Sequence, residues 1–205
     1  MTTDVHTPIL RMVWPATMSE INLEPLQGLW TETQYLILSD QTNHLIEFTD
    51  GVVEVLPMPT RKHQSILALL YELVVAFIRP RGGKVLFAPL RLRIREGKYR
   101  EPDLLVLRDA NDPHNQDRYW LGADLVVEVV SPDDLDRDTV TKRTDYAEAD
   151  IPEYWIVNPL DETITVLMLA GDAYVEHGRF PRGETATSRL LEGFTVSVDV
   201  VFDAE

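Results

Sequence analysis

The sequence of 205 residues contains no cysteine. This absence excludes disulfide bonds and thiolate metal sites, and it favours a reducing compartment. Long apolar runs are also missing, because no stretch approaches the roughly 20 residues that a membrane helix needs. The start MTTDVHTPILR lacks the basic and apolar segments of a secretory signal. We therefore expect a cytoplasmic protein.

Positive charge is in short supply. The chain has 19 Lys and Arg against 34 Asp and Glu, a formal net charge of −15, which repels phosphate at long range and argues against non-specific nucleic-acid binding. The deficit is uneven, since the segment 79–100 contains a single acidic residue, Glu96. Its cations are Arg79, Arg81, Lys84, Arg91, Arg93, Arg95, Lys98 and Arg100.

The length suits one substantial core rather than two. Residues 1–30 are rich in proline and show no sustained period, so we interpret them as an N-terminal arm that packs irregularly or reaches a neighbouring subunit. Residues 31–205 are predicted to form a single domain.

Helical and extended patterns alternate within residues 31–205. The runs 103–107 and 124–130 are apolar almost throughout, which is typical of strands covered on both faces at the centre of a sheet. The run 85–94 alternates at its end and predicts one half-buried strand. The other predicted elements are helices at 31–38, 60–80 and 135–149, a hairpin at 44–56 around Asp50-Gly51, a strand at 153–157, a hairpin at 163–178, a loop at 109–118, and a tail at 190–196 that covers an edge of the core.

Two carboxylates interrupt this apolar centre. Glu128 stands inside the run 124–130, where a bare carboxylate is costly, and Asp103 opens the preceding strand. Two such groups side by side repel unless one is protonated or a cation lies between them. Mg²⁺ or Mn²⁺ would suit such a site, because a hard cation takes oxygen ligands. Each residue also has a purely structural alternative: Glu128 could belong to a buried ion pair, and Asp103 could simply form a turn.

A cation near this pair would stabilise charge on a reacting phosphoryl group. Lys142 is the candidate, because it lies on the predicted helix directly after the Glu128 strand. Tyr146 shares its helical face four residues later. The alternative is an exposed helix lysine.

Several segments together resemble the Uma-type restriction endonuclease family of the PD-(D/E)xK superfamily. They are EPDLLVL, ADLVVEVVSP and RDTVTKRTDYAEADIPEYWIVNP, with LIEFTDG and PTRKHQSI before them, and they span roughly residues 31 to 200. The resemblance implies an α/β restriction-endonuclease-like core, in which helices flank a central mixed β-sheet with additional hairpins. It also implies Mg²⁺-dependent cleavage of phosphodiester bonds.

The same resemblance assigns roles to individual residues. Asp103 stands at the motif aspartate and Glu128 at the motif glutamate. The superfamily lysine would stand two residues after the glutamate, where this chain has Val130, so Lys142 would take its place from the next helix.

Four further positions are informative by comparison with the family pattern. Glu47 and His63 match recurrent polar positions, which implies an outer ligand and a phosphate or water contact. Asn158 replaces an aspartate before proline, and Val52 replaces a frequent acidic residue after the Asp-Gly turn.

Three functions follow from these observations. The first is a Mg²⁺-dependent DNA endonuclease whose Arg91, Arg93 and Arg95 contact phosphates, although outward arginines also protect edge strands from aggregation. The second is a non-catalytic, homodimeric DNA-binding or protein-interaction module, which the acidic charge and the displaced lysine favour. A glycosidase ranks far behind, because the chain has no aromatic-lined stretch for a sugar cleft.

Overall fold

The computed structural model describes residues 11–14, 19–131 and 137–204. Within the expected N-terminal arm, residues 1–10 and 15–18 lie outside this part. The remainder of the arm forms an antiparallel hairpin of β1 (Arg11–Trp14) and β2 (Ser19–Asn22), followed by a 3₁₀ turn at Glu24–Leu26. Regular pairing therefore occurs in a segment whose sequence shows no period.

The other strands and helices alternate along the chain much as the sequence patterns indicate. In chain order they are α1 (Glu32–Ser39), β3 (Ile46–Thr49), β4 (Val52–Val55), α2 (Arg61–Ile78), β5 (Lys84–Phe87), β6 (Leu92–Arg95), β7 (Lys98–Arg100), β8 (Leu104–Leu107), β9 (Leu125–Val129), α3 (Lys142–Glu148), β10 (Glu153–Asn158), β11 (Thr163–Ala170), β12 (Ala173–Pro181), β13 (Thr185–Thr187), β14 (Thr195–Ser197) and α4 (Val198–Phe202).

The central sheet has six strands in the order β12-β11-β10-β9-β8-β5. It is mixed, because β9 and β10 run parallel while the other neighbours are antiparallel. Every residue of β8 and β9 is buried, as their apolar runs predict. The predicted fold class, a central mixed sheet flanked by helices with additional hairpins, is confirmed.

Helices cover both faces of this sheet. The long α2 begins where the Thr60 hydroxyl accepts a hydrogen bond from the His63 backbone N–H at 3.2 Å, and it packs its apolar stripe against β5, β8 and β9. The tail residues Leu191, Phe194 and Val196 join the same core, as predicted. On the opposite face, Tyr146 of α3 belongs to a second core.

The run 85–94 is not one strand, and this prediction was wrong. It divides into β5, which pairs with β8 in the central sheet, and β6, which pairs with β7 at the edge of a four-stranded antiparallel sheet in the order β4-β3-β7-β6. Pro89 stands between them and has no N–H to donate to a ladder. The alternation continues past Pro89, but the pairing partners change.

The predicted helix 135–149 begins at residues that lie outside the described part of the chain. From Arg137 the backbone forms a π-helical turn to Thr141, and α3 follows to Glu148. None of the helices among the described residues combines the length and apolar character needed to cross a membrane.

Candidate active site

Asp103 and Glu128 lie side by side at the start of β8 and within β9. The Asp103 backbone N–H donates to Glu128 Oε2 at 3.4 Å, and the Val129 N–H donates to Asp103 Oδ2 at 2.8 Å. Glu128 is only 3% exposed. Because β8 and β9 are hydrogen-bonded neighbours, the fold itself holds the two carboxylates together.

Two residues of α3, one helical turn apart, contact Glu128. Lys142 Nζ lies 2.8 Å from Glu128 Oε1, and the Tyr146 hydroxyl donates to the same oxygen. Both side chains are buried, so Lys142 is not an exposed helix lysine. The shared face expected from the spacing of Lys142 and Tyr146 thus points at Glu128.

Asp138 is a member of this group that sequence reasoning missed. Its Oδ1 lies 3.0 Å from Lys142 Nζ, and its side chain is buried. It precedes Lys142 by four residues, the same spacing that places Tyr146 beside Lys142. That periodicity was a usable indication of its position.

His63 connects α2 to the carboxylates. Its Nε2 lies 3.1 Å from Asp103 Oδ2. Burial opposes protonation of His63, but the hydrogen bond and charge of Asp103 outweigh it and raise the pKa of the imidazole above its usual value. Its Nδ1 is buried and has no hydrogen-bond partner among the described residues.

Glu47 lies elsewhere, within a second group of charges. It is buried in β3, forms an ion pair with Arg137, lies 3.4 Å from Arg100 Nε, and accepts a hydrogen bond from the Glu101 N–H at 3.1 Å. Arg100 also donates to Asp145 at 2.7 Å. These partners were not singled out in the sequence, because each contact joins distant segments of the chain.

The three arginines predicted to contact DNA lie on and next to β6, the edge strand. Arg91 donates to Asp40 at 2.8 Å and Arg95 donates to Asp50 at 2.7 Å, while Arg93 is half-buried between them. Arg91 and Arg95 therefore already have carboxylate partners.

A cavity of about 520 Å³ opens over the paired carboxylates. Its polar lining includes Asp103, Glu128, Asp138, Lys142 and His63, whereas Glu47 does not line it. The apolar lining comes from Leu45, Leu56, Pro57, Met58, Pro59, Leu67, Phe87, Ala88 and Pro89. The cavity is large enough for a small-molecule-sized group.

We call Asp103, Glu128, Asp138 and Lys142 the cavity cluster. It sets three carboxylates against one lysine. Burial raises the pKa of Glu128 and of Asp138, the charge of Asp103 adds to both shifts, and Lys142 opposes them. Burial works against the charge of Lys142, but Glu128 and Asp138 raise its pKa, so the lysine stays cationic. Three carboxylates around one ammonium can be compensated either by a proton on a carboxyl group or by a further cation.

The donor set of this cluster fits a hard divalent cation. Within the described residues, the two hydrogen bonds to the Asp103 carboxylate fall on Oδ2, and none of them uses the lone pairs of Oδ1. Within the described ranges no three His, Asp or Glu side chains converge as a ready-made ligand group. Mg²⁺ does not require one, since it usually takes one or two carboxylates and completes its shell with waters and substrate phosphates.

Comparisons with known proteins agree with this architecture. The sequence model of the Uma2 family, described as "Putative restriction endonuclease", matches residues 32–199. A crystal structure of a "putative nuclease belonging to DUF820" from Anabaena variabilis superposes with a TM-score of 0.64 at 17% identity, covering 78% of this chain and 91% of that one. That likeness shows a shared fold. No curated protein matches the chain.

The family match covers nearly all of the residues from α1 to α4, including both carboxylates and α3. The chain therefore belongs to the Uma2 family.

Proposed function

We propose that this protein is a divalent-metal-dependent endonuclease that hydrolyses phosphodiester bonds of DNA. One observation carries the proposal: Asp103 and Glu128 meet on neighbouring strands at the cavity, beside a buried Lys142 that does not neutralise them fully. The family description supports a nuclease. DNA and the identity of the cation, Mg²⁺ or Mn²⁺, are part of the proposal.

Asp103 and Glu128 would hold the cation. When bound, such a cation lowers the pKa of a coordinated water and neutralises charge on a phosphoryl group. Lys142 orients Glu128 and places a positive charge near the phosphate, and Tyr146 fixes the same carboxylate. His63 orients Asp103, and its Nδ1, which has no partner among the residues that the structure describes, is the contact for phosphate or water.

Glu47 takes a different part in this proposal. It is held by Arg100 and Arg137 and does not line the cavity, so we assign it to supporting the cluster rather than to binding the cation. Arg91 and Arg95 would contact phosphate only with the part of each guanidinium that their carboxylate partners leave available.

A second candidate is a non-catalytic, homodimeric module of the same fold that binds DNA or protein. The bridging position of Lys142 favours it, because an ammonium shared by Glu128 and Asp138 is held in place by two charges. Under this alternative the pair of carboxylates would still bind a cation, but no DNA would be cut.

The test is cleavage of plasmid and oligonucleotide DNA with Mg²⁺ and with Mn²⁺. We expect Asp103→Asn and Glu128→Gln to lower the rate by about 10³-fold or more, because each removes several kcal/mol of charge stabilisation. Leu160→Ala, an exposed apolar position outside the cavity, serves as the matched control and should cut like the wild type. Cation binding without cleavage by the wild type would favour the non-catalytic module.

A further inference from the structure

The cavity has two chemically different walls. Besides the carboxylates, the lining has an apolar wall, which we define as Met58, Phe87 and Pro89. Met58 is 71% exposed and Phe87 is 48% exposed. Single exposed apolar side chains are common on protein surfaces, but these three line the same cavity as the carboxylates, so they offer an apolar contact to a ligand bound there.

The aromatic ring of this wall is held close to the carboxylates. Phe87 ends β5, and the N–H of the next residue, Ala88, donates to the Asp103 carbonyl oxygen at 3.3 Å. The Phe87 ring also packs edge-to-face with Tyr71 of α2, with ring centroids 5.1 Å apart. The contact with Tyr71 and the hydrogen bond of Ala88 therefore hold the Phe87 ring near Asp103.

Two buried nitrogens of residues that line the cavity lack hydrogen-bond partners within the described part of the chain. NH1 of Arg91 is buried and unbonded among the described residues, although another nitrogen of the same guanidinium pairs with Asp40. His63 Nδ1 is in the same condition. Both residues line the cavity, so a ligand could offer an acceptor to the Arg91 guanidinium and a polar group to the His63 ring, whose tautomer sets whether Nδ1 donates or accepts.

The charged residues near the cavity are poorly suited to binding the phosphates of double-stranded DNA. The arginines of this side are committed to carboxylates, Arg91 and Arg118 to Asp40 and Arg95 to Asp50. Duplex recognition depends on many phosphate contacts from free cations, and a chain of net charge −15 opposes it. Stacking on an aromatic ring requires an unpaired base, which a duplex does not offer, and it contributes binding energy that does not come from phosphate contacts.

We infer that the apolar wall of Met58, Phe87 and Pro89 stacks against an unpaired nucleobase, with Arg91 NH1 bonding an acceptor of the same nucleotide. The substrate of the site is then single-stranded DNA or a locally unpaired segment. This inference rests on the proposed nuclease function and specifies its substrate class.

The test uses a 12-nucleotide DNA that carries 2-aminopurine, as a single strand and annealed to its complement. Binding is followed by 2-aminopurine fluorescence in EDTA, and cleavage is measured separately with Mn²⁺. The single strand should bind at least tenfold more tightly than the duplex. Phe87→Ala should weaken single-strand binding by about 5- to 150-fold, the value of one base–aromatic stack.

Matched variants separate stacking from folding. Phe87→Trp should restore binding and quenching because it keeps an aromatic face, whereas Leu160→Ala removes an equally exposed apolar side chain elsewhere and should change nothing. Thermal melting of each variant verifies that it folds.

The inference is overturned if the duplex binds as tightly as the single strand, if Phe87→Ala behaves like Leu160→Ala, if Phe87→Trp fails to restore binding in a folded protein, or if neither DNA binds. Failure of the proposed function looks different: the single strand binds and quenches through Phe87, but Mn²⁺ produces no cleavage.

Discussion

Two buried groups of charges lie close together in this protein, and they differ in balance. The cavity cluster sets Asp103, Glu128 and Asp138 against Lys142, with His63 beside Asp103. A second group, which we call the closed cluster, joins Glu47 and Asp145 to three cations. Those cations are Arg100, Arg137 and Lys98.

The pKa shifts follow that difference. Burial opposes ionisation of Glu47, but Arg137, Lys142 and Arg100 hold its pKa below its usual value. Glu128 is equally buried, yet its pKa is raised. Burial alone therefore does not determine the charge state of a carboxylate. The cations around Glu47 favour its ionised form, whereas the cations around Glu128 do not offset its burial and the neighbouring carboxylates, and this difference is the basis of the proposed cation site.

Breaking the closed cluster should have the largest effect on stability. Arg100→Ala leaves Glu47 and Asp145 buried with one cation fewer, and we expect a loss of about 3–5 kcal/mol in the free energy of unfolding. Urea denaturation followed by circular dichroism measures it. Arg179→Ala, which breaks an exposed pair with Asp161, is the control and should cost less than about 1 kcal/mol.

Removing the Lys142 ammonium from the cavity cluster should lower the free energy of unfolding, and a bound divalent cation should restore part of it. Lys142→Ala leaves Glu128 and Asp138 unpaired, at a cost of about 2–3 kcal/mol because a carboxylate there can take up a proton. Saturating Mn²⁺ should return much of that loss. The comparison with Arg100→Ala is decisive here, since a similar rescue of Arg100→Ala would mean that the two clusters do not differ as described.

Acid should weaken the closed cluster through Glu47. Its folded pKa is lowered, so the group stabilises the fold above its unfolded pKa of about 4.3, and that contribution is lost as the pH falls through the folded value. The stability difference between wild type and Glu47→Gln should therefore shrink below about pH 4.3. Urea titrations between pH 7 and about pH 2 follow it through this window, and a difference that grew on acidification would have the wrong sign.

The smallest effect is expected at the cavity. Asp103→Asn removes a charge that repels Glu128, while the amide oxygen still accepts from the Val129 N–H. Without a divalent cation the variant should lie within about 1 kcal/mol of the wild type, the typical behaviour of a functional site that sacrifices stability. A loss above about 3 kcal/mol would assign Asp103 a structural role instead.

Much of the fold was predictable from local pattern. The apolar runs that became β8 and β9, the stripe of α2 and the turn at Asp50-Gly51 each express a rule that acts over a few residues. The division of residues 85–94 between two sheets was not predictable from local pattern, because it depends on which distant strand each half pairs with.

The same distinction applies to the candidate site. Asp103 and Glu128 stand out because a charge interrupts an apolar run, and Lys142 and Tyr146 follow from helical spacing. Arg100 contacts Glu47 and Asp145, which lie far from it in the sequence. Its hydrogen bond to Asp145 joins residues that are 45 positions apart. No local pattern in the sequence contains such a contact.

The central claim is that a divalent cation completes the cavity cluster through Asp103 and Glu128. The most direct measurement is a thermal melt of wild type and Asp103→Asn with increasing Mn²⁺. At about 100 times the dissociation constant, binding should add about 2.7 kcal/mol and raise the wild-type melting temperature by about 5–10 °C. Asp103→Asn should show little change. Equal shifts in both proteins, or no shift in the wild type, would contradict the account.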